Sequence, residues 1–202
     1  MGFAPHSGWT AVVVLGGARA DPRVLARSRV EMADPRYPES RQPYHAVETL
    51  GVEEAARRLD GYMAVAEGMA YAAIRALAED LGGRGYRATS VGILESSGRT
   101  GSSLASILAS HALIHTADGD HFRKALAAAA ERSDLAVSRV RARDLEAQAE
   151  ARLCRPVPRL REAVKQFGRQ VGPPWGADQK MAALLAWLLL DQAQRKGRRT
   201  SG

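Results

Sequence analysis

The run TAVVVL at residues 10–15, stopped by Gly16 and Gly17, constrains the fold more than any other feature. Six mostly β-branched residues, all apolar but Thr10 and bounded by glycine, make a strand buried on both faces. Asp21-Pro22 marks a turn. Residues 24–33 then alternate. Val24, Ala26, Ser28, Val30 and Met32 share one face, and Leu25, Arg27, Arg29, Glu31 and Ala33 share the other. That pattern predicts a half-buried antiparallel strand, so the two runs form a hairpin. The preceding residues 1–9, ending in a polar HSGW, read as a flexible leader.

Beyond the hairpin the pattern changes period. Residues 34–43 carry three prolines and read as a loop, followed by a weak third strand at 44–50. From 52 to 81, Ala55, Leu59, Met63, Ala66, Ala70, Ile74, Leu77 and Leu81 recur at steps of three or four, one stripe of a long helix stopped by Gly82-Gly83. A strand at 86–95 and a Ser/Gly loop at 96–101 come next. Helix is expected at 102–115, a break or kink at 117–119, and helix again at 122–132. A strand at 135–140 and helices at 143–152 and 160–168 follow. The connector GPPWG at 172–176 leads into a closing helix at 178–194, apolar nearly all round and hence buried. An antiparallel hairpin followed by strand–helix alternation predicts an α/β domain over 10–194, its mixed sheet flanked by helices.

Charge is unevenly placed along this plan. The 202 residues hold 29 Lys+Arg against 22 Asp+Glu, a net of +7. Residues 151–202 account for a net of +8 and the first 150 for −1. A basic tail at 195–202, with Arg195, Lys196, Arg198 and Arg199, attracts polyanions through phosphate charge. The single cysteine, Cys154, allows no internal disulfide. With no secretory signal, this predicts a reducing, cytoplasmic setting. The longest apolar stretch, 181–190, is about half of a membrane span. Only four of the basic residues are lysine and alanine abounds, a composition expected of a GC-rich bacterial genome.

The element order, with a strand ending in Glu95 and a late helix opening at Asp178, resembles the ribonuclease H-like fold and, within it, the RuvC-type resolvases. In that family carboxylates on the first strand, on the strand after the long helix and on the last helix converge to hold two Mg²⁺ or Mn²⁺ ions. The resemblance implies Glu95 and Asp178 as metal ligands and catalytic residues. It implies nucleic acid, DNA in particular, as the partner, with Lys180 and Arg99 as phosphate contacts and residues 195–199 as an electrostatic tether. The protein is then a divergent, or catalytically degenerate, metal-dependent nuclease. With 10–15 taken as the first strand, Leu15 or Gly16 stands where the family has an aspartate, and Asp21, Glu31 and Asp34 lie nearby.

Two readings of other classes compete. The apolar stretch 181–190 suits a non-catalytic protein that pairs with itself, as a homodimer, or with a partner. His111 and His115, one helical turn apart, suit a metal-dependent small-molecule hydrolase. The glutamate of a zinc-protease HExxH is absent, since Ala112 stands there. On sequence alone Asp118 and Asp120 are caps of the helix starting near His121, and His6 and His45 have no evident partner.

Overall fold

A computed structural model describes residues 1–96 and 103–200, with side chains through residue 190. The expected hairpin is present as β2 (Trp9–Ala18) and β3 (Asp21–Glu31), paired from Trp9↔Glu31 to Ala18↔Asp21 with a register shift at Val14/Leu15. The segment expected to be a leader is instead a strand, β1 (Gly2–His6), whose first four residues are buried. It pairs antiparallel with β2 and parallel with β4 (Ser90–Glu95), which in turn pairs parallel with β5 (Ala136–Arg141). The sheet order is β3-β2-β1-β4-β5, so β1 lies at its centre.

The sequence GFAPH hides this strand because it has no β-branched residue and contains a proline, which cannot donate to a ladder. Its small residues serve packing. A Cβ at Gly2 would stand 2.1 Å from the Ala182 carbonyl oxygen, and one at Gly92 would stand 2.7 Å from Leu185 Cγ. Both glycines let the closing helix cross the sheet at close range.

On one face, α1 (Val52–Gly83), the short α2 (Leu104–Leu108) and α3 (His111–Arg132) are gathered. Phe3, Val12, Val14, Val91 and Ile93 pack there against Ala66, Ala70 and Ile74 of α1 and Phe122 and Leu126 of α3. The α1 stripe is as expected, with Ala55, Leu59, Ala66, Ala70, Ile74 and Leu81 buried. On the other face, Ala4, Ala11, Val13, Leu15, Leu94 and Val140 meet α4 (Leu145–Leu153), α5 (Val157–Val171) and α6 (Ala177–Thr200). Residues 182–189 of α6 are all buried, and Trp187 Nε1 donates to the Arg19 carbonyl at 3.0 Å. The stretch weighed as a pairing surface is therefore core. Trp175 fastens the connector, donating from Nε1 to the Val164 carbonyl at 2.9 Å, and Arg27 donates to the carbonyls of Gly172 and Pro174.

Two local expectations fail near α3. The weak strand at 44–50 is a 3₁₀ turn, His45–Val47, following Pro43, with Val47 buried against Ala55 and Leu59. The break at 117–119 is absent, and α3 runs through Gly119. A lone helical glycine costs only about 1 kcal/mol relative to alanine, and the buried face of α3 outweighs it. Asp118 and Asp120 are consequently mid-helix and buried rather than caps. Among the described residues no helix is long and apolar enough to cross a membrane.

Candidate functional site

The carboxyl ends of β1 and β4 are adjacent, yet their side chains serve different faces. β4 alternates, with Val91 and Ile93 toward α1 and α3 and Gly92 and Leu94 toward α6. Glu95 shares the parity of Ile93. Its Oε1 accepts from Arg139 Nη1 at 2.8 Å, in a cavity of about 440 Å³ shared with Asp120, Arg123, Lys124 and Arg141. Arg123 closes the cavity, donating from Nε to the Leu94 carbonyl at 3.0 Å and pairing with Asp120 at 3.5 Å. Burial pushes the Asp120 carboxyl above its usual range, with the Arg123 charge opposing and the Glu95 charge reinforcing.

Asp178 opens α6 on the opposite face. Its Oδ1 lies 3.0 Å from Nε2 of His6, the last residue of β1. The His6 ring stacks on Trp9, centroids 4.4 Å apart and 9° from parallel, and the Arg29 guanidinium sits 3.7 Å from the Trp9 ring centroid. The first strand of the sheet thus ends in an imidazole. The position that the sequence gives to Leu15 or Gly16 belongs to a neighbouring strand, and His6 stands at the true tip.

These contacts decide how far the expected Mg²⁺ or Mn²⁺ site fits. Such ions take several oxygen ligands from a single concave set. Glu95 and Asp178 lie on opposite faces of the sheet, one held by a guanidinium and the other by an imidazole. In this arrangement the two carboxylates do not face one shared set of oxygen ligands. Lys180 lines a separate groove with Arg143, Arg161 and Lys165. Arg99 lies outside the described residues. Arg195, Lys196, Arg198 and Arg199 lie on the last turns of α6, where only the backbone is described.

A second constellation is half visible in the sequence. His111 and His115 begin α3, with their Nε2 atoms 3.1 Å apart, and His45 meets them from the 3₁₀ turn. Ring centroids are 5.4 Å apart for His45–His111 and 4.5 Å for His45–His115. Among the described residues these three form a group whose ligand atoms all lie within 4.8 Å of one another. Asp118, 2% exposed, clamps the arrangement. Its Oδ2 lies 2.5 Å from His45 Nδ1, and its Oδ1 accepts the Tyr44 N–H at 2.7 Å. Burial raises the Asp118 carboxyl, while the bonds to His45 and Tyr44 pull against that rise. One turn on, buried His121 packs edge-on to Tyr44 with Nε2 unpartnered, and burial lowers its pKa to about 4, so it is neutral. The HxxxH spacing signals two members of the cluster. His45 lies more than sixty residues away and carries no local signal, and Asp118 is masked by its resemblance to a cap.

No family model matches the chain, and no curated protein matches it. Among solved structures, the chain is similar to Thermus thermophilus RuvC in complex with a Holliday junction substrate, with a TM-score of 0.51 and 14% identity over 96% of this chain and 93% of that one. It is equally similar to the Thermus thermophilus RuvC structure, with a TM-score of 0.51 and 14% identity over 96% and 95%. The likeness supports a ribonuclease H-like fold, with the mixed sheet flanked by helices expected from sequence and β1 as the strand that expectation lacked.

Proposed function

We propose that this ribonuclease H-like protein binds DNA through a basic rim at the strand tips and does not cleave it with strand-tip carboxylates. One observation carries the reading. Two grooves are lined by consecutive residues where β5 ends, one including Arg141 and the other Ala142 and Arg143. The first holds Arg123, Lys124, Arg139 and Arg141, and the second, of about 810 Å³, holds Arg143, Arg161, Lys165 and Lys180. Eight basic side chains face four acidic ones there, Glu95, Asp120, Glu146 and Glu162. The rim adds to the charge of α6, whose end carries Arg195, Lys196, Arg198 and Arg199. Its pairs Arg161–Glu146, bidentate at 2.7 Å, and Lys165–Glu162, at 3.8 Å, are exposed and screened by solvent, so phosphate can compete with the carboxylates for these cations. The RuvC neighbour with a Holliday junction supports nucleic acid as the polyanion.

The chemistry of the tips supports binding without hydrolysis. His6 and Arg139 stand where additional negative charge would be needed to hold paired hard cations. The test is anisotropy of labelled duplex and four-way-junction DNA between 50 and 200 mM salt, with a parallel cleavage assay in Mg²⁺ and Mn²⁺. Affinity should fall steeply with salt, and Arg141→Ala with Arg143→Ala should flatten the log–log slope by about 0.9 per lost phosphate contact. Association that ignores salt, or none at all, refutes the binding. Cleavage abolished by Glu95→Gln refutes the non-hydrolytic assignment.

A further inference from the structure

We infer that His45, His111 and His115 form a binding site for one borderline-soft divalent cation, Zn²⁺ being the best match, with Asp118 as the carboxylate that orients His45. The site does not depend on DNA binding. Three imidazoles from two segments remote in sequence point their nitrogens at one small volume. A hydrogen bond between two neutral rings would account for the 3.1 Å His111–His115 pair. It would not account for a third ring brought to the same place and held by a buried carboxylate.

The distances agree with ligation. With Zn–N bonds of about 2.0–2.1 Å, two imidazole nitrogens on a tetrahedral ion stand roughly 3.3–3.4 Å apart. The 3.1 Å pair already approaches that spacing, and the 4.8 Å envelope of the trio closes with small ring rotations. Asp118 supplies what such sites characteristically need outside the ligands, a fixed acceptor for the ring nitrogen that does not bind metal. With His45 Nδ1 donating its proton to Asp118 Oδ2, the Nε2 lone pair is the one free to bind a metal. The Tyr44 N–H bonded to Asp118 Oδ1 fixes the carboxylate in turn.

The donor set selects the ion. Imidazoles suit Zn²⁺, Cu²⁺, Ni²⁺ and Fe²⁺, whereas Mg²⁺ and Mn²⁺ prefer oxygen. Three protein ligands leave a tetrahedral ion one position short, and His111 and His115 are exposed, so a water or an anionic oxygen can complete the shell. A groove of about 540 Å³ runs from His45 along Pro38, Glu39, Arg41 and Gln42 to Ser7, the residue after His6.

The experiment uses the full chain, stripped with chelator and re-loaded with Zn²⁺ or Co²⁺ alone. Metal analysis after gel filtration should give one Zn²⁺ per chain, and Co²⁺ should give the visible absorption of a four-coordinate, nitrogen-rich site. His45→Ala, His111→Gln and His115→Gln should each weaken Zn²⁺ binding at least 10-fold. Asp118→Asn should weaken it about 10–100-fold, the range for loss of an orienting carboxylate. His6→Ala should leave it unchanged. The exposed His111→Gln and His115→Gln variants keep the test valid if changes at Asp118 or His45 disturb folding. Sub-stoichiometric metal, or affinity unaltered by His45→Ala, overturns the assignment. DNA binding is read separately, so either conclusion can fail alone.

Discussion

Gly2→Ala separates a central strand from a leader. At a flexible leader position the change is neutral, since a residue that stays unordered neither packs nor loses backbone entropy on folding. In β1 the new Cβ would stand 2.1 Å from the Ala182 carbonyl oxygen and 2.8 Å from the Ala186 nitrogen. Both are backbone atoms inside α6, so no side chain can swing aside. Relief requires α6 to back away by about 1 Å along a face where residues 182–189 are all buried. Overpacking of this kind costs about 1–3 kcal/mol, and occasionally more. Rigid neighbours place this case at the upper end. At about 2–4 °C per kcal/mol for a chain of this size, the midpoint should fall by about 6–12 °C. Gly92→Ala is the internal control. Its Cβ would meet Leu185 Cγ at 2.7 Å and Leu189 Cδ1 at 2.8 Å, side-chain rather than backbone atoms, so repacking of two leucines can relieve the clash and the loss should be smaller. Differential scanning calorimetry of the three proteins reads this directly. Wild-type stability for Gly2→Ala would show that β1 is not packed beneath α6.

Three further outcomes follow from individual contacts. His121, neutral and buried with a pKa lowered from 6.5 to about 4, should make stability fall as pH drops from 7.5 to 5, because the unfolded chain takes up the proton first. The loss from this residue is about 2 kcal/mol, and His121→Leu should remove that share of the pH slope in urea titrations; Asp118 and Asp120, whose carboxyls are raised, act in the opposite sense at lower pH. Trp187→Phe should cost about 1–3 kcal/mol in chemical denaturation, through the lost bond to the Arg19 carbonyl and the volume vacated beside Phe167. Glu95→Gln should raise affinity for DNA a few-fold at 50 mM salt by freeing Arg139, and an unchanged or weaker affinity would place Arg139 outside the contact.

The hairpin, the α1 stripe and the buried α6 are legible in the sequence because each is a long periodic pattern whose burial dominates its local energetics. β1 is not, since its conformation is dictated by neighbours on both sides and by an α6 some 180 residues away, and its small residues answer to that helix rather than to strand propensity. Glu95 and Asp178 each lie on the expected element. Facing is a different matter. One residue of register along β4 decides whether a carboxylate looks toward α3 or α6, and a resemblance in topology does not carry that parity. Asp118 and Asp120 mislead for a related reason: the Ala-Asp-Gly-Asp sequence has the composition of a helix start, and only the packing of α3 against the sheet keeps it helical.

The two clusters can be set against each other in terms of donor chemistry. A ribonuclease H-like sheet brings the ends of β1 and β4 together whatever residues occupy them, and the fold does not fix what those residues do. In this chain the β1 position is an imidazole bonded to the one acid of the α6 start, and the β4 acid is spent on Arg139. Oxygen donors at the tips are thus each occupied by a nitrogen donor. Restoring them one at a time gains little. His6→Asp would set the introduced carboxylate against that of Asp178 without a cation between them, while Glu95 would still face α3. We expect His6→Asp to lose thermal stability in the absence of metal and to recover only part of it in Mg²⁺, with no cleavage of DNA. Full recovery together with Mg²⁺-dependent cutting would mean that Glu95 can turn through the sheet edge to join them, and the separation of faces would then not govern the chemistry.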